Sequence, residues 1–198
     1  MKEIKAHDYP EIYEMLGYNL SKLGCLMLDT EEIQNTYTYF ASDGTGLIVP
    51  YSPEYKAKNK DRFWIDGYVA DKTPHITLFY GFLQESKCYK KHIEILLKDT
   101  KLNTVTIKEI SYFDSPYPDE DYYCIVAKVE MTPELEYAHN KMKLLPTIHT
   151  FPLYKPHITI AYIIKDEYIR DDFIKHLSEK LVGQEIKVLG LNYGGNNK

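Results

Sequence analysis

Pro74-His75-Ile76-Thr77-Leu78-Phe79-Tyr80 returns 82 residues later as Pro156-His157-Ile158-Thr159-Ile160-Ala161-Tyr162, with five of the seven positions identical. In a strand, successive side chains point to opposite faces. His75 and Thr77 therefore share one face, as do His157 and Thr159, while Ile76, Leu78, Ile158 and Ile160 point into a core. A single His-x-Thr would be two polar residues on a solvated strand face. The shared context, from the leading proline to the trailing tyrosine, makes it an internal repeat. Two such strands facing each other gather two imidazoles and two hydroxyls around one cleft, a set suited to acid-base chemistry on a phosphate.

The flanking sequence repeats in the same order. After the first motif strand (75–83) come a helical pattern over 88–99, with Ile93, Leu96 and Leu97 on one face, and an alternating strand over 104–112. After the second (157–164) come an amphipathic helix over 166–181 and a strand over 185–193. Strand 122–131 and a helix from Thr132-Pro133-Glu134 to about Leu145 precede the second motif, the proline suiting a first helical turn. Upstream, the pattern reads as a weak helix over 8–22, a buried strand at Cys25–Leu28, a short helix through residue 40, a turn at 42–46, a strand at Leu47–Val49 and an exposed loop over 51–63. Phe63–Val69 then leads to the first motif. This is a degenerate duplication of an α+β unit, and pairing the units forms a bilobed structure with a central cleft.

Length and charge narrow the function. At 198 residues the chain reads as one domain, 1–198, with lobe one over about 20–112 and lobe two over about 122–193. The formal net charge of −5 argues against gripping long nucleic acid by its backbone, and permits a small anionic ligand held locally. Three cysteines (Cys25, Cys88, Cys124) are odd in number and lack metal-ligand spacing, as expected of reduced thiols in a cytoplasmic protein. No apolar run approaches the ~20 residues of a membrane span, so no membrane partner is expected. Nothing in the sequence decides the oligomeric state.

Cleaving a phosphodiester near neutral pH needs a base for the nucleophile and an acid for the leaving oxygen. Histidine suits both. One imidazole must be neutral while the other is charged. Thr77 and Thr159 would donate to the non-bridging oxygens as charge develops on them. Two imidazoles with no cysteine or carboxylate at fixed spacing make a poor zinc set, so neither metal nor other cofactor is expected. Water opening a 2′,3′-cyclic phosphate and a ribose 2′-hydroxyl attacking its neighbouring phosphate would use the same four residues. Trp64, Tyr68, Tyr154 and Tyr51 offer faces for stacking on bases, although filling an interior is the commoner use of such rings. Lys155 is placed to steer a phosphate or to sit in solvent. Gly81 and Ala161, by alternation, fall on the cleft face.

His75-Ile76-Thr77-Leu78 and His157-Ile158-Thr159-Ile160 resemble the two-histidine (2H) phosphoesterase superfamily, marked by a pair of His-hydrophobic-Thr/Ser-hydrophobic strands, one per pseudo-symmetric lobe. The separation of the motifs is typical of that family, and the resemblance spans roughly residues 20–193. It implies a bilobed α+β fold of mainly antiparallel sheets around a central cleft with helices outside, and catalysis by His75, Thr77, His157 and Thr159. Members include 2′-5′ RNA ligase-like enzymes, cyclic phosphodiesterases, 2′-5′ oligoadenylate phosphodiesterases and phage nucleases that destroy cyclic-oligonucleotide alarm signals. The expectation is a metal-independent phosphodiesterase acting on a small ribonucleotide, such as a cyclic oligonucleotide, in the cytoplasm of a bacterial or phage-infected cell. The alternatives are an RNA-end 2′,3′-cyclic phosphodiesterase and a non-catalytic module that sequesters a nucleotide.

Overall fold

The computed structural model describes residues 14–17, 23–31, 33, 38–40, 48–50, 74–114, 122–148, 151 and 153–194. Most of the helix expected over 8–22, the turn at 42–46, the loop at 51–63 and the stretch Phe63–Val69 that leads to the first motif lie outside the described residues.

In chain order the elements are β1 (Gly24–Thr30), β2 (Thr38–Phe40), β3 (Ile48–Pro50), β4 (His75–Phe82), α1 (Lys90–Leu96, entered through a 3-10 turn at Ser86–Tyr89), β5 (Thr104–Asp114), β6 (Tyr122–Val129), α2 (Pro133–Met142), β7 (His157–Ile164), α3 (Glu167–Leu181) and β8 (Glu185–Asn192). The helices form where the sequence supplies both an apolar stripe and an end signal. Thr132 caps α2, its hydroxyl accepting from the Leu135 amide at 3.2 Å, and Pro133 opens the first turn. Leu135, Ala138 and Met142 on α2, and Phe173, Leu177 and Leu181 on α3, are buried. Gly183, at φ 87°, ends α3 in the left-handed region. Arg170 of α3 lies over the rings of Tyr112 (4.4 Å) and Tyr123 (4.9 Å), fastening the helix to β5 and β6. No helix among the described residues is long and apolar enough to cross a membrane.

The short helix predicted through residue 40 is not formed at its end, because Thr38–Phe40 pairs as a strand with Ile48–Pro50. Thr-Tyr-Phe and Ile-Val are β-prone runs, and a local partner settles the choice.

Six strands close into an antiparallel ring in the order β1-β4-β7-β6-β5-β8, with β8 returning to β1. Alternate residues on these strands, with the helix stripes, form one buried cluster. The ring has a pseudo-two-fold axis that can be read from its hydrogen bonds. Thr30 N–H donates to Pro74 O at 2.9 Å, and Val129 N–H to Pro156 O at 3.1 Å. Glu31 to Lys187 O and Glu130 to Thr106 O repeat this at 2.9 Å each. The axis passes through two pairs of apolar residues, Ile76–Ile158 at the β4–β7 seam and Val105–Ile186 at the β5–β8 seam. Each half, however, draws on both sequence units. β4, α1 and β5 are consecutive, yet β5 pairs with β6 beside β7; β7, α3 and β8 are consecutive, yet β8 pairs with β1 beside β4.

Ile76 and Ile158 are fully buried and directly opposed on the axis. Ile76→Ala and Ile158→Ala should each cost about 2–5 kcal/mol of unfolding free energy. The double variant should cost less than the sum because the side chains are cross-strand neighbours. Urea unfolding of the four proteins measures this, and strict additivity would contradict the shared seam.

Candidate active site

The register of the β4–β7 seam brings the two motifs together. Ile76 pairs with Ile158 across the two-fold axis, and the charge of His75 acts on His157. All four side chains are half-buried, while Ile76, Leu78, Ile158 and Ile160 on the other face are buried. Each motif thus turns its imidazole and its hydroxyl to the half-exposed face of the seam.

The outer neighbours follow from the same ladders. On β1, Asp29 is opposite His75 and Met27 opposite Thr77; on β6, Lys128 is opposite His157 and Val126 opposite Thr159. Asn192 of β8 donates its amide to both carboxylate oxygens of Asp29, at 3.0 and 3.2 Å. Lys128 Nζ lies 3.1 Å from Glu109 Oε1 of β5.

The His157 ring is held on two sides. Its Nδ1 is 2.7 Å from the Lys155 carbonyl. A carbonyl only accepts, so Nδ1 carries the proton of that bond and Nε2 keeps its lone pair. The edge of Phe113 packs on the ring at 5.0 Å between centroids. Burial pushes the imidazole below its ordinary value near 6.5; the Lys155 carbonyl opposes that shift and the charge of nearby His75 adds to it.

The other predicted residues are placed as follows. Tyr154 stacks face to face on buried His139, 4.0 Å between centroids and 6° from parallel. Its hydroxyl is buried without a hydrogen-bond partner among the described residues, and burial pushes its ionisation above the ordinary phenol range. His139 in turn holds Leu78 O at 2.8 Å. Lys155 is exposed, and its main-chain carbonyl, not its ammonium, is what reaches His157. Trp64, Tyr68 and Tyr51 lie outside the described residues. Gly81 does not fall on the cleft face: β4 carries one extra residue where Leu26 pairs with Phe79 but Met27 with Thr77. Leu78 and Phe79 are consequently both buried, Tyr80 takes the half-exposed place, and Gly81 is buried at φ 123°. β7 has the equivalent irregularity at Ile160. Among the described residues, no group of three or more His, Cys, Asp or Glu side chains is placed to hold a metal ion.

Sequence reasoning missed Asp29, Asn192, Lys128, Glu109 and Phe113. The alternation of Cys25, Met27 and Asp29 was available as a signal, but only the register identifies which motif residue each one meets.

Since the folded state resists protonation of His157 and the unfolded state does not, the unfolded chain binds more protons once pH drops below about 6.5. Stability from this residue is therefore present above that pH and falls as pH drops toward the folded-state value. Histidine-resolved NMR titration should find His157 titrating below 6.5, as the Nδ1–H tautomer when neutral. His75→Ala should move its midpoint upward, because a like charge is removed. A midpoint that stays or falls would contradict the coupling.

Comparison with curated proteins gave no match. The sequence model of the 2′-5′ RNA ligase superfamily matches residues 52–191, more than two thirds of the chain and both motif strands. With two His-x-Thr strands paired across a pseudo-two-fold axis in a mixed α+β fold, the chain belongs to the 2′-5′ RNA ligase superfamily, of the 2H phosphoesterase type.

Proposed function

We propose that the protein is a metal-independent phosphodiesterase that cleaves a small ribonucleotide, using His75, His157, Thr77 and Thr159. The observation that carries the reading is the seam: two imidazoles and two hydroxyls on one half-exposed face, around a pair of buried isoleucines. A neutral imidazole takes a proton from the attacking oxygen, and a charged one protonates the leaving oxygen. The two threonine hydroxyls donate to the non-bridging oxygens, where negative charge grows in the transition state. Strand-borne side chains on a closed ring suit this task, since they hold such geometry more tightly than loops.

The substrate reading rests on charge. A formal net of −5 gives little attraction for a long polyanion and leaves room for a compact one bound at the seam. A cyclic di- or oligonucleotide signal, or a 2′-5′-linked oligonucleotide, is such a ligand. Destruction of such a signal by a phage is the biological setting we favour. Dependence on a 2′-hydroxyl would separate RNA from DNA at the site.

The test is turnover in the presence of chelator against 3′,3′-cyclic dinucleotides, cyclic triadenylate, 2′-5′ oligoadenylate, 2′,3′-cyclic AMP and a short RNA. One class should be cleaved, with His75→Ala and His157→Ala each losing about 10²–10⁴-fold and Thr77→Ala and Thr159→Ala roughly 10²–10³-fold. Selective opening of 2′,3′-cyclic AMP would favour RNA-end processing instead. Ligand retained without any product, unchanged in His75→Ala, would replace the enzyme reading with nucleotide sequestration.

A further inference from the structure

The connection from α2 to β7 approaches the second motif by running back along the strand that carries the first. Leu83 N–H donates to Pro146 O at 3.1 Å, Thr147 bridges Phe82, and Ile148 N–H donates to Gly81 O at 2.7 Å. Phe151 then meets Tyr80 edge-on, 6.1 Å between ring centroids. Tyr154 comes next, stacked on His139 of α2 at 4.0 Å. His139 is itself buried, 9% exposed, and its other ring contact is Phe79 of β4 at 5.4 Å.

His139 thereby touches both motif segments. Its Nδ1 is 2.8 Å from Leu78 O, and a carbonyl only accepts, so Nδ1 carries the proton of that bond. Leu78 directly follows Thr77 and is the extra residue of the β4 bulge, opposite no residue of β1. The ladder holds such a residue weakly, so a side-chain bond to its carbonyl fixes where the first motif ends. The face of the same ring carries Tyr154, 6° from parallel. Lys155 follows, and its carbonyl takes the Nδ1–H of His157 at 2.7 Å. Pro156 restricts Lys155 to extended backbone, and Pro156 O is tied to Val129 N–H at 3.1 Å. The place of the Lys155 carbonyl therefore follows the place of Tyr154. The Tyr154 hydroxyl, buried with no hydrogen-bond partner among the described residues, adds nothing to this; the ring face makes the contact. An aliphatic side chain at position 139 would fill the same buried space. A flat ring with an N–H in its plane does two further things, holding a carbonyl at its edge and a tyrosine on its face.

We propose that His139 is a positioning residue that joins the two motifs from beneath the seam: its Nδ1–H fixes the bulge that ends the first, and its ring face holds Tyr154 and so the Lys155 carbonyl that orients His157. Proton transfer through Nε2 of His157 needs the tautomer and ring direction which that carbonyl sets, whether the ring gives or takes the proton. The kinetic consequence rests on the phosphodiesterase reading. The orientation of His157 does not, and it can be measured on protein without substrate.

The test combines nitrogen-15 NMR of the histidine rings with turnover of the substrate that wild-type protein cleaves. Tyr154→Leu removes the stacked face. His139→Asn keeps an N–H donor close to the place of Nδ1 and removes the ring. Each should move neutral His157 from the Nδ1–H tautomer to a mixture with Nε2–H, and lower kcat by about 10–10²-fold with KM little changed. Tyr154→Phe keeps the face and should restore the tautomer and most of kcat. The double variant of His139→Asn and Tyr154→Leu should lose little more than the worse single one, because both changes remove one stack. Spectra and rates are taken at a temperature where thermal unfolding shows each variant folded, and His139→Asn, the milder change, carries the test if Tyr154→Leu does not fold. A folded variant lacking the stack in which His157 keeps its tautomer overturns the proposal, whatever its rate. A raised KM at unchanged kcat makes Tyr154 a substrate-binding residue and overturns it also. The expected tautomer change in a protein that cleaves nothing supports the positioning role and overturns the phosphodiesterase reading alone.

Discussion

Everything at the candidate site depends on antiparallel pairing between two strands with nearly the same sequence. Had the copies of His-Ile-Thr met in parallel, like would face like across the seam. Meeting antiparallel around Ile76 and Ile158, the two motifs are related by the two-fold axis instead. The register is enforced from the other side of the sheet. A slip of one residue would carry both fully buried isoleucines out of the core and both histidines into it. The apolar face therefore sets the geometry of the polar one.

The surroundings make that geometry rigid and then make it unequal. Each motif begins at a proline whose carbonyl is tied to the next strand, by the amides of Thr30 and Val129. The Thr30 hydroxyl adds a second bond to Pro74 O at 3.1 Å. A bulge follows each motif at the equivalent place, turning the strand so that Tyr80 and Tyr162 oppose Cys25 and Cys124. On this symmetric frame, Asp29 lies across the strand from His75 and Lys128 across from His157. Equivalent positions on the frame thus carry neighbours of opposite charge.

The parts of this arrangement that were legible in the sequence are those governed by short-range rules. Alternation located β4 and β7, periodicity located α1 and α3, and Thr132-Pro133 marked the start of α2. The repeat itself announced a duplicated fold. What could not be read was set by pairing across large separations. Asp29 and Asn192 meet although 163 positions separate them, and no local pattern states that. Lys155 contributes through its main chain, which residue type does not advertise. Tyr154 has one ring face taken by His139, a partner 15 positions upstream on α2. The strand at Thr38–Phe40 was missed because three residues of β propensity weigh little until β3 is there to pair with them.

The exchange of last strands between the units has a consequence for how such a chain can be divided or could have arisen. β5 completes the half containing β7, and β8 completes the half containing β4. A fragment carrying one unit would expose open strand edges and an uncovered apolar face, and a second copy of itself would offer the matching edges. The natural independent form of one unit is thus a swapped homodimer with two equal histidines on its dyad. Fusion of the two copies into one chain frees each to vary separately. That freedom is what allows aspartate at position 29 and lysine at position 128, a distinction that no homodimer could encode.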